Sequence, residues 1–211
     1  MNSPDESIFR FQKPQPRASA KPLGNSPFVI MYHGSLVERN GLELAVDALP
    51  RVRKNVPEVE LRVYGAKTPF LQRVLNKAQQ LGLQETVHYL GPRRLEDLVR
   101  EIGECDIGIV PNQRNAFTDI NTPTRIFEYL ALGKPVIAPS TPGIQDYFAP
   151  GSLFFFESGN ADDLARAIEH AYSHSGLAFE TAVRGQEIYL AHTWREERQT
   201  LINLVRGLIA S

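Results

Sequence analysis

FVIMYHGSLVERNGLELAVDALPRVRKNVPEVELRVYG, residues 28–65, holds a strand, a helix and a second strand in close succession. FVIMYH (28–33) is a short apolar run that stops at Gly34. Too short for a helix and nearly free of polar residues, it suits a strand covered on both faces. After the loop SLVERN and Gly41, the residues Leu42, Ala45, Val46 and Leu49 repeat at helical spacing and mark one apolar face. VELRVYG (59–65) returns to a strand. Two strands separated by a helix of this length are joined by a crossover rather than a hairpin, so they lie parallel.

The same alternation continues toward the C-terminus. A helix is predicted over 70–81, a strand at TVHYLG (86–91), a helix through Leu95, Leu98, Val99 and Ile102, and a strand at DIGIVP (106–111). A polar loop, 112–122, leads into the helix PTRIFEYLALG (123–133). PVIAP (135–139) and SLFFFE (152–157) add two strands, and helices over roughly 161–174, 178–191 and 194–210 close the chain. The fold class is α/β: a Rossmann-like doubly wound parallel sheet of about six strands flanked by helices. Residues 1–27 differ. Pro4, Pro14, Pro16, Pro22 and Pro27 recur among polar residues, and Phe9 and Phe11 stand isolated. Proline removes backbone donors, so this stretch reads as a linker or arm and the domain proper as 28–211.

A chain of 211 residues with 42% hydrophobic content fills a real core. Its formal net charge of −1 gives no electrostatic case for nucleic acid or an anionic membrane surface, so any phosphate site must be built from a few local donors. The single cysteine, Cys105, has no intramolecular partner and reads as a small buried hydrophobe ahead of a strand. No signal-peptide pattern or membrane-spanning apolar run is present, and the expected location is the cytoplasm.

In an open parallel sheet, ligands bind outside the carboxyl ends of the strands, where helix N-termini point. Two loops at that edge stand out. HGSLVERNG (33–41) carries Gly34, which lets the backbone approach a ligand, though an ordinary strand-to-helix turn uses glycine in the same way. NTPTRIFEYLALGKPVIA (121–138) is more informative. Thr122 reads as the N-cap and Pro123 as the first helical turn. Thr124 and Arg125 then sit at the positive end of the helix dipole, suited to a diphosphate. Phe127, Leu130 and Ala131 share an apolar face, and Glu128 falls off it. That carboxylate can accept from a vicinal diol such as a ribose, or simply complement the helix dipole. Residue type alone leaves both readings open.

PTRIFEYLALGKPVIA (123–138) resembles the signature P-T-K-x-x-E-Y-x-A-x-G-K-P-V-V-A of group 1 (family 4) retaining glycosyltransferases, in their C-terminal, donor-binding domain of the GT-B fold. Other matches follow in order: Gly34, Leu36 and Gly41; Gly65; Val87, Leu90 and Gly91; Asp106, Ile107 and Pro111; HTWREERQTL (192–201); and Asn2, Asp5 and Phe9 of the interdomain linker. The resemblance implies a nucleoside-diphosphate sugar as substrate, UDP- or GDP-linked, with no cofactor and no required metal. It implies diphosphate contacts from Gly34, Ser35, Arg39, Thr122, Thr124 and Arg125, and a ribose contact from Glu128. Base contacts fall to Gly65, His88, Tyr89, Gly91 and Pro92, and donor-sugar contacts to Asp119, Ile120 and Asn121. It assigns no catalytic residue. It further implies an N-terminal acceptor domain as partner, without which this half is inactive, and a full-length enzyme that can sit peripherally on a membrane. Retaining hexosyl transfer to a glycan or lipid-linked acceptor is the activity expected.

The chain departs from the family where relatives carry an Arg and a Lys in the first loop, here Ser35 and Asn40, and a Glu on the donor sugar, here Ile120. Arg39 and Arg125 are the candidates for compensation. These departures keep open a noncatalytic nucleotide-binding module; a sugar-nucleotide epimerase of the same fold is disfavoured by the 121–138 block. His170 and His174, four apart on a helix, have metal-chelating spacing but no third ligand nearby, and Asp162-Asp163 reads as helix-start charge. Leu201, Leu204, Val205 and Leu208 form an apolar stripe on the last helix, with Trp194 at its start. It either packs on the domain's own sheet or crosses to the acceptor domain, and in the second case the isolated chain self-associates through it.

Overall fold

The computed structural model describes residues 3–17 and 27–210; Asn2 of the linker motif and Pro22 of the arm lie outside them. Six parallel strands form one sheet: β1 (Phe28–His33), β2 (Val59–Tyr64), β3 (Val87–Gly91), β4 (Ile107–Ile109), β5 (Val136–Pro139) and β6 (Phe154–Phe156). Their order is β3-β2-β1-β4-β5-β6. The chain winds outward from β1 in one direction and then, from β4, in the other. β1 and β4 are thus neighbours at the point of reversal, where the loops leaving their carboxyl ends splay apart into a crevice.

All six residues of β1 are buried, as expected of a strand covered on both sides. Phe28, Ile30 and Tyr32 join one apolar cluster with α1 (Leu42–Asn55), α2 (Pro69–Gln80) and α6 (Ala161–Ser173). Val29 and Met31 join the other, with α3 (Leu95–Glu104), α4 (Thr124–Ala131), α5 (Pro142–Gln145) and α7 (Ser175–Ala191). The period of two along the strand thus divides the core between the two faces. In α3, Leu98 and Ile102 are buried while Leu95, at its start, is exposed.

α4 is buried almost all round: Ile126, Phe127, Tyr129, Leu130 and Ala131 are all sealed from solvent. Its close approach to the sheet depends on Gly108 in β4, where an added Cβ would lie 2.4 Å from the Tyr129 ring. The Tyr129 hydroxyl satisfies its hydrogen bond by donating to Met31 O at 2.7 Å. Cys105 is buried, and burial pushes its thiol up to about 12, in keeping with a structural role.

The described part of the arm, 3–17, has no helix or strand yet lies tightly on the domain. Phe9, isolated in sequence, is 3% exposed and packs in the α4 cluster. Gln12 N–H donates to Ala131 O at 2.8 Å, and Gln12 O accepts from Gln186 Nε2 at 2.6 Å. Arg17 pairs with Asp106 at 3.1 Å and stacks over Phe28. α8 (Trp194–Ala210) is the opposite case. Leu201, Leu204, Val205 and Leu208 are all exposed, so packing of that stripe on the domain's own sheet is overturned. The domain's faces are already covered by α1, α2, α6 and by α3, α4, α7. No helix among the described residues is long and apolar enough to cross a membrane.

Candidate functional site

The loop after β1 is fixed by its own polar groups. Gly34 has φ 117° and donates N–H to Tyr64 O at 3.0 Å. The Tyr32 hydroxyl and Asn40 Nδ2 both donate to Ser35 O, each at 2.8 Å. Asn40 therefore braces the loop. Gly41, φ 71°, lies so close to the next loop that a Cβ would sit 1.7 Å from Pro111 O. Gln113 N–H donates to Arg39 O at 3.0 Å. The loops leaving β1 and β4 are thus locked against one another. Ser35 and Arg39 remain exposed, and the Arg39 guanidinium lies over the Phe117 ring at 5.6 Å.

α4 enters from the far side of this crevice. Thr122 does not cap it: the Thr122 hydroxyl donates instead to Gly143 O, and Pro123, with extended backbone, flanks a helix that begins at Thr124. Proline at this flank leaves the first N–H groups of α4 without a side-chain partner. Arg125 is held by its surroundings. Nη1 donates to His33 O and Nη2 to Asn112 Oδ1, each at 2.9 Å, and the guanidinium lies 4.9 Å from the Tyr32 ring centre. Asn112 is 5% exposed. Sequence reading passed over it, although its place directly after β4 puts it at the same edge.

One turn on, Glu128 reaches back toward β1. Its Oε2 lies 3.2 Å from His33 Nε2, with the His33 and Glu128 side chains 4% and 17% exposed. The two are out of line for a hydrogen bond, and His33 Nε2 is left buried without a partner. Burial first, and the Arg125 charge second, push His33 down to about 3; the ring is neutral. Burial raises Glu128 to about 7 against the opposing pull of Arg125. The His33 ring is fixed edge-on to Tyr129, 4.9 Å between centres. Sequence reading had His33 only as the first residue of the loop. Its position in the period of two, with Val29 and Met31, is the signal that aims it at α4.

The remaining candidates spread along the same edge. Asp119, Ile120 and Asn121 lie in the loop before α4. Asp119 pairs with Arg114 (Nε to Oδ2 3.0 Å) and accepts Gly143 N–H at 2.8 Å, while Ile120 is 83% exposed. An open cleft of about 450 Å³, lined by Phe117, Ile120, Asn121, Thr122, Thr124 and Tyr147 among others, runs past the start of α4. Gly65 follows β2, with φ 156° and no room for a Cβ beside Gly34 O, and its carbonyl accepts the Tyr89 hydroxyl at 3.0 Å. β3 ends at Gly91, and Pro92 follows it. His88 does not join them: it pairs in register with Arg62 within the sheet, short of the edge. A second cavity, about 290 Å³, lies at the opposite edge between the arm and the starts of β1 and β4, away from the helix N-termini. The His170 and His174 rings lie 4.3 Å apart at a 46° tilt, and no cluster of three metal-ligating side chains occurs among the described residues.

A Rossmann-like α/β domain with its crevice at the β1–β4 reversal is the class that this sheet and edge define. The chain matches glycosyl transferases group 1 over residues 15–185 and belongs to that family, as its C-terminal domain. It is 27% identical over 189 residues to the GDP-mannose-dependent alpha-(1-6)-phosphatidylinositol monomannoside mannosyltransferase of Mycolicibacterium smegmatis, covering 88% of this chain and 49% of that one. Its fold is similar to sucrose-phosphate synthase from Thermosynechococcus elongatus (TM-score 0.81, 22% identity, 99% of this chain and 51% of that one). It is also similar to Anabaena HepE in complex with UDP (TM-score 0.74, 21% identity, 85% and 49%). The chain spans about half the length of these relatives.

Proposed function

We propose that this domain binds a nucleoside-diphosphate sugar in the β1–β4 crevice and serves as the donor half of a retaining hexosyltransferase, with a glycan or lipid-linked acceptor held by a second domain. One observation carries the reading: Arg125 and the open first turn of α4 face the Gly34 loop, and Glu128, one turn on, is a mostly buried carboxylate with no hydrogen-bond donor among the described residues. A diphosphate suits the first part and a ribose diol the second. The UDP in the HepE structure and the GDP-mannose dependence of the mycobacterial relative support the ligand class, UDP or GDP. In this reading the protein positions the donor and stabilises charge developing on the leaving diphosphate. No side chain of this domain is assigned as a base.

Thermal melts with UDP, GDP and ADP test it. Ligand at about 100 times its Kd adds about 2.7 kcal/mol, a rise of roughly 5–10 °C in a domain of this size. The shift is expected with one base, and is lost in Glu128→Ala and in Arg125→Ala. No shift at millimolar ligand sinks the reading.

A second reading, a nucleotide-binding module without turnover, is favoured by the state of Arg125, two of whose donors are spent on His33 O and Asn112 Oδ1. Transfer from a nucleotide sugar in the presence of an acceptor domain separates the two.

A further inference from the structure

Resting on Glu128 as the ribose ligand, we infer that His33 is its positioning residue and that the pair takes up a nucleoside diol with release of one proton.

Neither partner is satisfied as the site stands. His33 Nε2 is buried with no hydrogen bond, and no N–H or O–H among the described residues donates to Glu128. They face each other at 3.2 Å. The imidazole cannot move far: its ring is wedged against Tyr129, and its own carbonyl is tied to Arg125. Glu128 is the more open of the two, with 17% of its side chain exposed. A small rotation of the carboxyl brings Oε2 onto the Nε2–H axis.

The charged and titratable groups around the pair are few. They are Arg125 and Tyr129 from α4 and Tyr32 from β1, with Cys105 beyond Tyr129. Arg125, the one cation acting on both, is aimed at His33 O and Asn112 Oδ1. Tyr129 donates to Met31 O and Tyr32 to Ser35 O. Among the described residues, the neutral ring is therefore the group that faces Glu128 at hydrogen-bonding distance. In the empty site the carboxyl keeps its proton and faces Nε2 at 3.2 Å without a formed hydrogen bond. A diol brings two O–H donors and needs an acceptor-only carboxylate. On binding, the O–H bond of the acid breaks, its proton goes to solvent, and the ring stays neutral.

Two measurements on the full chain test this. Without ligand, NMR of ¹³C-labelled glutamate carboxyls should show one group titrating near 7 that is absent in Glu128→Gln and displaced upward in His33→Phe. With UDP or GDP, calorimetry in buffers of different ionisation heat should show close to one proton released at pH 6 and none at pH 8.5. Affinity should fall by about tenfold per pH unit below neutrality. His33→Phe should bind about tenfold more weakly at pH 7 and recover towards pH 9, and His33→Gln, which restores an N–H donor, should recover at pH 7. The inference is overturned if wild-type Glu128 titrates in the ordinary carboxylate range, if binding releases no proton at pH 6, or if His33→Phe titrates and binds as wild type. If Glu128→Gln binds nucleotide as tightly as wild type at pH 8.5, the ribose assignment itself fails. The ligand-free titration needs neither binding nor a substituted His33.

Discussion

α4 and α8 carry the same apolar spacing and meet opposite fates. α4, eight residues long, has every apolar side chain buried; α8, with seventeen, leaves Leu201, Leu204, Val205, Leu208 and Ile209 in solvent. The difference lies in what each is offered to pack on. α4 follows β4 at the sheet reversal and drops onto Gly108, whose missing side chain admits Tyr129. By the time α8 begins, both faces of the sheet are taken. Spacing thus specifies that a helix has an apolar face, and only the rest of the chain decides whether that face is filled.

The largest contrast should come from equal truncations. Leu130→Ala should lower stability by about 3 kcal/mol, since the fully buried side chain leaves a cavity, and urea unfolding reads this directly. Leu201→Ala should change it by less than about 0.5 kcal/mol. Equal costs would mean that α8 is covered in solution.

Next in size is the pH dependence built into α4's polar face. Glu128 is raised from 4.5 to about 7, so its contribution to stability is full below 4.5 and is lost as pH rises through 7. His33 is lowered from 6.5 to about 3, so its contribution is full above 6.5 and is lost as pH falls towards 3. Glu128→Gln should therefore melt higher than wild type at pH 8 by roughly 5 °C, a gain that shrinks as pH approaches 4.5. A constant offset across that range would mean that Glu128 keeps its charge throughout.

The smallest effect on stability should be Leu204→Glu on α8, within about 0.5 kcal/mol. Sedimentation should nevertheless change. The wild-type domain is expected to associate with rising concentration through its exposed stripe, and the substituted one to stay monomeric. A wild type that is monomeric at all concentrations would limit α8 to contacts with another domain.

Much of the fold was legible because each strand is a short buried run and each crossover an amphipathic helix. β1 falls at 28–33 in both reading and structure, and α8 at 194–210. The short α5 was missed, since a four-residue helix beginning at Pro142 has no periodicity to detect. Thr122 was misread as a cap because threonine before Pro-Thr fits the pattern, whereas the nearby Gly143 carbonyl claims its hydroxyl. Arg125 and Glu128 were singled out from their place on the helix, and the structure puts both at the crevice. The groups that hold Arg125, His33 O and Asn112 Oδ1, lie 92 and 13 residues away, and only strand period and chain order hint at them.

Local periodicity and chain order were enough to fix the parallel α/β class and the edge where helix N-termini gather. It took the packed fold to hold the Arg125 fork on His33 O and Asn112 Oδ1, to brace Ser35 with Asn40, and to bring Glu128 against the buried His33 ring. Those outcomes depend on burial and on distances of a few ångströms between residues far apart in the chain, and burial sets the charge each one carries.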